Sequence, residues 1–393
     1  MSDPELEKAK EEKPPSIVRP RHPWRVAVLA NIKDEAIPLP PGVPPDAYAD
    51  YDHIETIHSI QKAIESDGHE TRFIPADDSL PFSLKEFKPD ICFNISEGQG
   101  GDAREAQTPA LLEMLRIPYT ASRVLTNAIA LDKTLTKRIW RDRNVPVCPF
   151  QEFNTGDEPL RPELRYPLFV KPAREGTGMG VDMNARVETE AELRERAKYI
   201  INSYQQPALV ETFLPGREFT VGQIGRPDAK RFSRHPEWYE KDGFHRFPIL
   251  EVNTTPSTTP GIYSHAAKAR SLGDEGAPEY ICPAVVDPEL AKKLQYLALR
   301  AHHILGALDV SRVDIRLDAE GQPRLLEINP LPGLTPGYSD LCLQSEAEGI
   351  SYNDLILEIL YLAAGRWGLL EGRELPPEPP KRKTGPLGKV ANK

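Results

Sequence analysis

The residues best suited to chemistry stand together in SRVDIRLDAEGQPRLLEINP, residues 311–330. Two short alternating stretches flank Glu320-Gly321, which reads as a β-hairpin. Closed symmetrically about that turn, the pair sets Asp314 opposite Glu327 and Arg312 opposite Asn329. Alternation then puts these four side chains on one face. Val313, Ile315, Leu326 and Ile328 take the other face, against a core. Directly opposed carboxylates repel each other. A cation between them removes the repulsion, and an all-oxygen set of Asp314, Glu327 and Asn329 suits Mg²⁺ that also holds a phosphate. A solvated hairpin face is the plainer account of an Asp/Glu pair alone. The arginine and the amide on the same face favour the metal.

Three other segments carry weaker signals. VKPAREGTGMGV (170–181) joins Lys171, at a strand end, to a loop with Gly176, Gly178 and Gly180. Small residues let backbone amides approach phosphate oxygens, and the lysine adds a point charge. The segment lacks GxxxxGK[ST] and opens no helix, so it is neither a P-loop nor a dinucleotide fingerprint. By itself it is an ordinary turn between strands. ETFLPGRE (211–218) has two acids around a Pro-Gly turn; surface acids are the default reading. Lys133 and Lys137 lie one helical turn apart, the usual mark of a solvated face. The nine histidines show no HxxxH or HExxH spacing, and His302 and His303 read as ordinary helix residues.

The elements that must position these groups alternate between strand and helix, which implies an open α/β layer at the N-terminus. RVAVLAN (25–31) is a buried parallel strand by its continuous apolar run. A Pro-rich loop follows at 39–52. A helix over 53–66 puts Ile54, Ile57, Ile60 and Ile64 on one stripe. Strands at 71–76 and 90–96 follow. Thr108-Pro109 reads as an N-cap and first helical position. Residues 126–143 read as one helix, 166–173 as a strand, 188–202 as a charged helix, and 208–225 as two strands. Residues 226–246 look like a polar insertion, and 247–253 like a strand. The long loop at 254–283 reads as functional or disordered. Asp287-Pro288 opens a helix bearing Leu290, Leu294, Leu297, Ala301 and Ile304. A Pro/Gly-rich loop at 330–340 and a helix at 353–365 complete the order.

At 393 residues with net charge −10, the chain has no general basic footprint for nucleic acid. Four dispersed cysteines without CxxC exclude a zinc knuckle and a disulfide scaffold. No apolar run reaches the length of a membrane span, and the charged N-terminus lacks the apolar core of a signal peptide. Together these imply a cytoplasmic protein with neither nucleic acid nor membrane as partner and a homodimer left open. Residues 1–23 and 373–393 read as disordered tails.

In order along residues 25–362, LLEMLRIPYTAS, ALDKTLTK, FVKPAREGTGMGV, LVETFLPGREFTVG, PILEVN, SRVDIRL, LLEINPLPGLTP and SEAEGISYNDLI resemble the ATP-grasp superfamily. The likeness is strongest to the D-alanine–D-alanine ligase family. It implies a three-domain ATP-grasp architecture with domains at 24–121, 122–214 and 215–372. It also implies ATP-dependent dipeptide formation through an acyl phosphate, with ADP and phosphate released. Carried over by motif, Lys133 and Lys171 would bind ATP phosphates under a loop holding Gly176 and Gly178. Glu211 and Leu214 would line the adenine site, and Glu218 would meet the ribose. Asp314, Glu327 and Asn329 would hold Mg²⁺, with Mn²⁺ as a substitute. Arg312 would stabilise the acyl phosphate, Lys268 would close over the γ-phosphate, and Thr177 stands where the family has a serine. Gly333 would approach the second substrate.

The resemblance departs at the amino-acid pockets. NISEGQGGDAREAQTPA carries Glu97, Arg104 and Glu105 where the family has Gly-Glu-Asp-Gly, and Lys268-Ala269 replaces Lys-Tyr. The serine for the second substrate's carboxylate falls near Tyr338, and Glu55 is the candidate anchor for the first substrate's amine. These departures imply weak D-alanine ligation and a different amine acceptor. The alternatives are an ATP-grasp ligase making another dipeptide or amide, and a non-catalytic nucleotide-binding protein.

Overall fold

The computed structural model describes residues 18–33, 42–270 and 273–374. The expected disorder of residues 1–17 and 375–393 lies outside them. Residues 18–23 are not a loose tail, because Val18 is buried in the core beside Trp24.

Three sheets carry the fold. The first is parallel, in the order β2-β1-β3, with β1 Arg25–Ala30, β2 Glu70–Pro75 and β3 Ile91–Asn94. β1 is buried on both faces, as its unbroken apolar run requires. Val26, Val28 and Ala30 meet helices α1 (Ile54–Glu65) and, from the chain's far end, Tyr352–Arg366. Ala27 and Leu29 meet α2 (Leu80–Phe87) and α3 (Gln107–Leu115). α1 buries Ile57, Ile60 and Ile64 on its expected stripe. α3 starts one residue before Thr108, following a 3-10 turn over Arg104–Ala106; Thr108 is a buried helical residue, not the cap.

The expected single helix at 126–143 is two, α4 (Val124–Leu131) and α5 (Lys133–Asp142). Asp132 leaves helical geometry and its carboxylate caps α5 through the amide of Leu135. The break matters because it sets Lys133 at a helix start, where its side chain can turn into the site.

The second sheet is antiparallel, in the order β4-β7-β5-β6, with β4 Phe150–Phe153, β5 Leu168–Pro172, β6 Arg186–Val187 and β7 Ala208–Thr212. α6 (Glu190–Tyr204) packs on it through Leu193, Ala197 and Ile200. The third sheet runs β11-β10-β8-β12-β13, and β9 also pairs with β8. Its strands are β8 Glu218–Gly225, β9 Phe244–Arg246, β10 Leu250–Asn253, β11 Glu279–Ile281, β12 Val310–Leu317 and β13 Pro323–Asn329. The two strands around the Pro-Gly turn at 215–216 therefore belong to different sheets and do not form a hairpin.

α7 (His265–Lys268) lies in the long loop, and α8 (Pro288–Leu305) starts where Asp287 accepts from the amides of Glu289 and Leu290. α8 covers the third sheet with Leu294, Leu297 and Ala301. α9 (Asp340–Ala347), which the sequence reading lacked, precedes α10 (Tyr352–Arg366). α10 is buried almost all round from Leu355 to Gly365. The supposed polar insertion at 226–246 supplies part of its cover. Phe232 and Tyr239 enter the same core, and the Tyr239 hydroxyl donates to buried Glu358 at 2.6 Å.

Candidate active site

The β12–β13 hairpin has the expected register at its chemical end and a different one at its turn. Arg312 faces Asn329, Val313 faces Ile328 and Asp314 faces Glu327. Nearer the turn, Ile315 faces Leu325 and Leu317 faces Pro323, so the pairing shifts by one residue through a bulge after Asp314. The extra residue is Leu326. It leaves the core face expected for it and turns towards the cavity, while Leu325 is buried instead. Without the bulge, Asp314 would oppose Leu326. The irregularity therefore brings the two carboxylates together, a common role for a bulge next to a site.

The polar face is balanced by cations. Arg312 bonds Asp314 through Nε (3.1 Å) and Nη2 (2.9 Å), while its Nη1 lies 3.3 Å from Asp340. The Thr220 hydroxyl also bonds Asp314, and Asn329 Nδ2 reaches it at 3.4 Å. Lys133 Nζ is 3.3 Å from Glu327 and also bonds the main-chain oxygen of Glu175. Burial alone would raise the pKa of Glu327, but Lys133, Lys171, Lys268 and Arg312 hold it well below the usual carboxylate range. An anion kept ionised in a buried place, opposite a second one, fits a hard divalent cation. Two carboxylates and one amide leave the remaining positions to phosphate oxygens and water, as Mg²⁺ prefers.

Lys133, Lys171, Asp314 and Glu327 line one cavity together with apolar side chains. Phe169, Phe213, Leu214, Met179 and Leu326 supply its apolar lining. Phe169 and Phe213 have ring centroids 6.3 Å apart. Glu211 lies in its wall with a lysine on each oxygen, Lys171 at 3.0 Å and Lys137 at 3.0 Å. Burial opposes its charge, but the two ammonium groups outweigh burial and push its pKa down to about 2. Lys137 is thus not on a solvated face. It is wholly buried and also donates to the Leu325 carbonyl at 3.0 Å. Helical spacing could not distinguish this, because the partner acid lies on another strand. Glu218 lines the same cavity beside Arg316 (3.2 Å), a residue the sequence reading did not single out.

The glycine loop and the long loop meet over this cavity. Gly178 has φ of 71°, and a Cβ there would lie 2.9 Å from the amide nitrogen of His265. Only glycine admits the start of α7 so close. α7 presents Lys268 to the cavity, its ammonium 4.3 Å from the centre of the Tyr263 ring. Gly176 has open space around it and needs no such exception. Thr177 precedes the cavity-lining Gly178 and has φ of 50°, but does not itself line the cavity.

In the 330–340 loop, Tyr338 is an exposed residue whose hydroxyl bonds the Lys268 main chain, joining this loop to α7. The sequence reads the family's serine as replaced near Tyr338, but a serine, Ser339, stands one residue on. Ser339 Oγ accepts from the Thr335 amide at 2.9 Å, and lies where a Cβ on Gly333 would be 2.9 Å away. Asp340, next to it, is buried and was missed, since nothing local marks an acid that pairs with Arg312 on another element. Glu55 is not brought to the site. It is exposed on α1 and lines neither this cavity nor the adjoining cleft. The acids at that end are Asp50, Glu97 and Glu105, around Arg104. Arg104 bonds Asp50 at 2.7 Å and lies 3.1 Å from Glu175.

A family model described as D-ala D-ala ligase C-terminus matches residues 139–361. An uncharacterised protein of Sinorhizobium fredii is 33% identical over 317 residues, covering 79% of this chain and 87% of that one. A D-alanine–D-alanine ligase of Aquifex aeolicus is 31% identical over 308 residues, covering 78% of this chain and 94% of that one. Among solved structures, a D-alanine–D-alanine ligase from Bacillus anthracis complexed with ATP superposes with a TM-score of 0.65 at 21% identity. That match covers 88% of this chain and 99% of that one.

Proposed function

The chain belongs to the D-alanine–D-alanine ligase family, and we propose that it joins two amino acids in an ATP-dependent reaction of that type. The observation that carries this is one cavity lined both by Phe169, Phe213 and Leu214 and by Lys133, Lys171, Asp314 and Glu327, with Arg312 bonded to Asp314. In this reading a substrate carboxylate oxygen attacks the γ-phosphorus of ATP, and the bond to ADP breaks. An amine then attacks the acyl-phosphate carbonyl. The C–N bond forms, the C–O bond to phosphate breaks, and the amine's surplus proton leaves to solvent.

Lys133 and Lys171 meet the phosphates beneath the Gly176–Gly178 loop. Leu214 and the wall held by Glu211 line the base, and Glu218 meets the ribose. Asp314, Glu327 and Asn329 would hold Mg²⁺, or Mn²⁺ in its place, which when bound offsets charge on the transferred phosphoryl group. Lys268 closes with α7 over that group. Arg312 presents its fork to charge developing on the carbonyl oxygen, an oxyanion-type role. Gly333 and Ser339 face the acceptor, with Tyr338 tying that loop to the lid. Thr177 helps seat the lid. A cytoplasmic setting belongs to the same reading, and Cys92, Cys148, Cys282 and Cys342 are all free thiols. The Arg104, Glu97 and Glu105 cluster favours a second reading within the family, a ligase that makes a different dipeptide or amide.

The test is phosphate release from Mg-ATP with a panel of D- and L-amino acids. D-alanine-dependent release supports the first reading, and release only with other amino acids supports the second. Nucleotide binding without turnover on any of them would make the protein a non-catalytic binder and overturn both.

A further inference from the structure

The glycine loop between β5 and β6 borders two cavities. Glu175, Gly178, Met179 and Val181 line the nucleotide cavity, and Arg174 and Glu175 also line a second cleft, together with Asp46, Arg104 and Tyr204. The loop is fastened from the side of that cleft at both of its ends.

The first end is held several times over. Arg104 Nη1 donates to the Arg174 carbonyl at 2.9 Å, and its Nη2 lies 3.1 Å from the Glu175 carboxylate. Gln206 Nε2 donates to the same carboxylate at 2.6 Å, while the Glu175 main-chain oxygen takes the Lys133 ammonium. Losing any one of these bonds leaves the others in place.

The second end is fastened through the main chain of Gly180. Its carbonyl accepts from Arg196 Nη2 of α6 at 2.6 Å. Its amide donates to Asp46 Oδ2 at 2.8 Å, across 134 residues of sequence. Asp46 comes from the loop ahead of α1, outside the second sheet and its helix. Tyr204, the last residue of α6, donates its hydroxyl to the same carboxylate, 2.9 Å from Oδ1 and 3.0 Å from Oδ2. A Cβ on Gly180, whose φ is 68°, would lie 3.1 Å from the Tyr204 ring, so glycine lets the main chain reach this clasp. Bonds that a carboxylate accepts are roughly twice as strong as those between neutral groups.

We propose that Asp46 is a positioning residue for the nucleotide. Through the Gly180 amide it holds the glycine loop where Gly176–Gly178 meet the phosphates, and Tyr204 orients its carboxylate. The role rests on the reading of the cavity as an ATP site, and not on which amino acids are joined. It acts through affinity, because only molecules with the loop in place bind phosphates at full strength.

Asp46→Ala, Asp46→Asn and Tyr204→Phe are made in the full chain. Binding of Mg-ADP and, by competition, of adenosine is measured by calorimetry, and hydrogen–deuterium exchange is followed over 173–181. Asp46→Ala should weaken Mg-ADP on the order of tenfold, the scale of one lost charge-assisted hydrogen bond. Adenosine, which has no phosphate, should bind as it does to the parent. Exchange should quicken over 173–181 and stay slow in the rest of the second sheet and α6. Asp46→Asn keeps an acceptor for the Gly180 amide and should recover most of the affinity, with Tyr204→Phe falling between. Unchanged Mg-ADP binding in Asp46→Ala, or an equal loss for adenosine, overturns the proposal. A parent that binds neither ligand sinks the ATP reading, and the positioning role with it.

Discussion

Replacing Glu211 by glutamine tests whether the wall of the nucleotide slot is held by charge. Glu211 is buried, and its two oxygens meet Lys171 and Lys137 at 3.0 Å each. Its pKa falls from the usual 4.5 to about 2 in the folded protein. That interval corresponds to about 3 kcal/mol of stability from this one carboxylate. Because the folded value is depressed, the contribution is complete above about pH 4.5 and is lost as pH falls from there through about 2. Glu211→Gln removes it and leaves two buried ammonium groups facing a neutral amide. Breaking a buried pair on one side costs about 3–5 kcal/mol. Urea unfolding across a pH series is the assay. The variant should be less stable than the parent by that amount near neutral pH, and the gap should narrow steadily below pH 4.5, where the parent loses the same interaction. ATP affinity should also fall, since Lys171 loses the group that aims it. A variant as stable as the parent at neutral pH, or a gap unchanged at pH 3, would refute the reasoning.

Glu327→Ala should abolish turnover while the circular-dichroism spectrum stays native, because it removes one of the two opposed carboxylates; near-normal activity would end the metal assignment. Arg312→Lys cannot span Asp314 and Asp340 as the guanidinium does. Its kcat should drop by about 10²-fold with a much smaller change in ATP affinity, and equal losses in both would make Arg312 a ground-state phosphate ligand. Asp340→Asn should lower kcat more than it raises any KM, with Asp340→Glu recovering part of the loss, because Asp340 is the partner left to Arg312 once a metal claims Asp314; a pure KM effect would argue against that positioning role. The segment around α7 should be cut readily by protease in the free protein and be protected by Mg-ATP with substrate, whereas equal cleavage rates would remove the lid.

Much of the site could be read from local pattern. Alternation in 311–329 told which side chains share a face, and the composition of 173–181 and 254–283 marked loops that meet at the cavity. The same pattern failed where the deciding partner is distant. Lys137 looked solvated because its acid, Glu211, is on β7. Residues 226–246 looked like a polar insertion because Phe232 and Tyr239 follow no period and meet α10 from outside it. Glu55 looked like an anchor by chain position, yet its face of α1 points away from the core.

The chain's local order determined the kinds of element, the apolar faces of α1 and α8, the capped start of α8 at Asp287, and the hairpin whose one face is chemical. Period-two alternation fixes a face but not a register. Symmetric closure about Glu320-Gly321 led to Asp314 opposite Glu327, and the folded hairpin reaches that pairing through a bulge at Leu326 that no alternation marks. Tertiary structure alone also put β7 and β8 in different sheets across one Pro-Gly turn, set Asp340 against Arg312, and gathered Asp50, Glu97 and Glu105 around Arg104. The pairs Arg312–Asp340 and Arg104–Asp50 join groups far apart in the chain, and such contacts leave no periodic trace. They are selected by close packing and by pairing of buried charge, which act only once the chain has closed on itself.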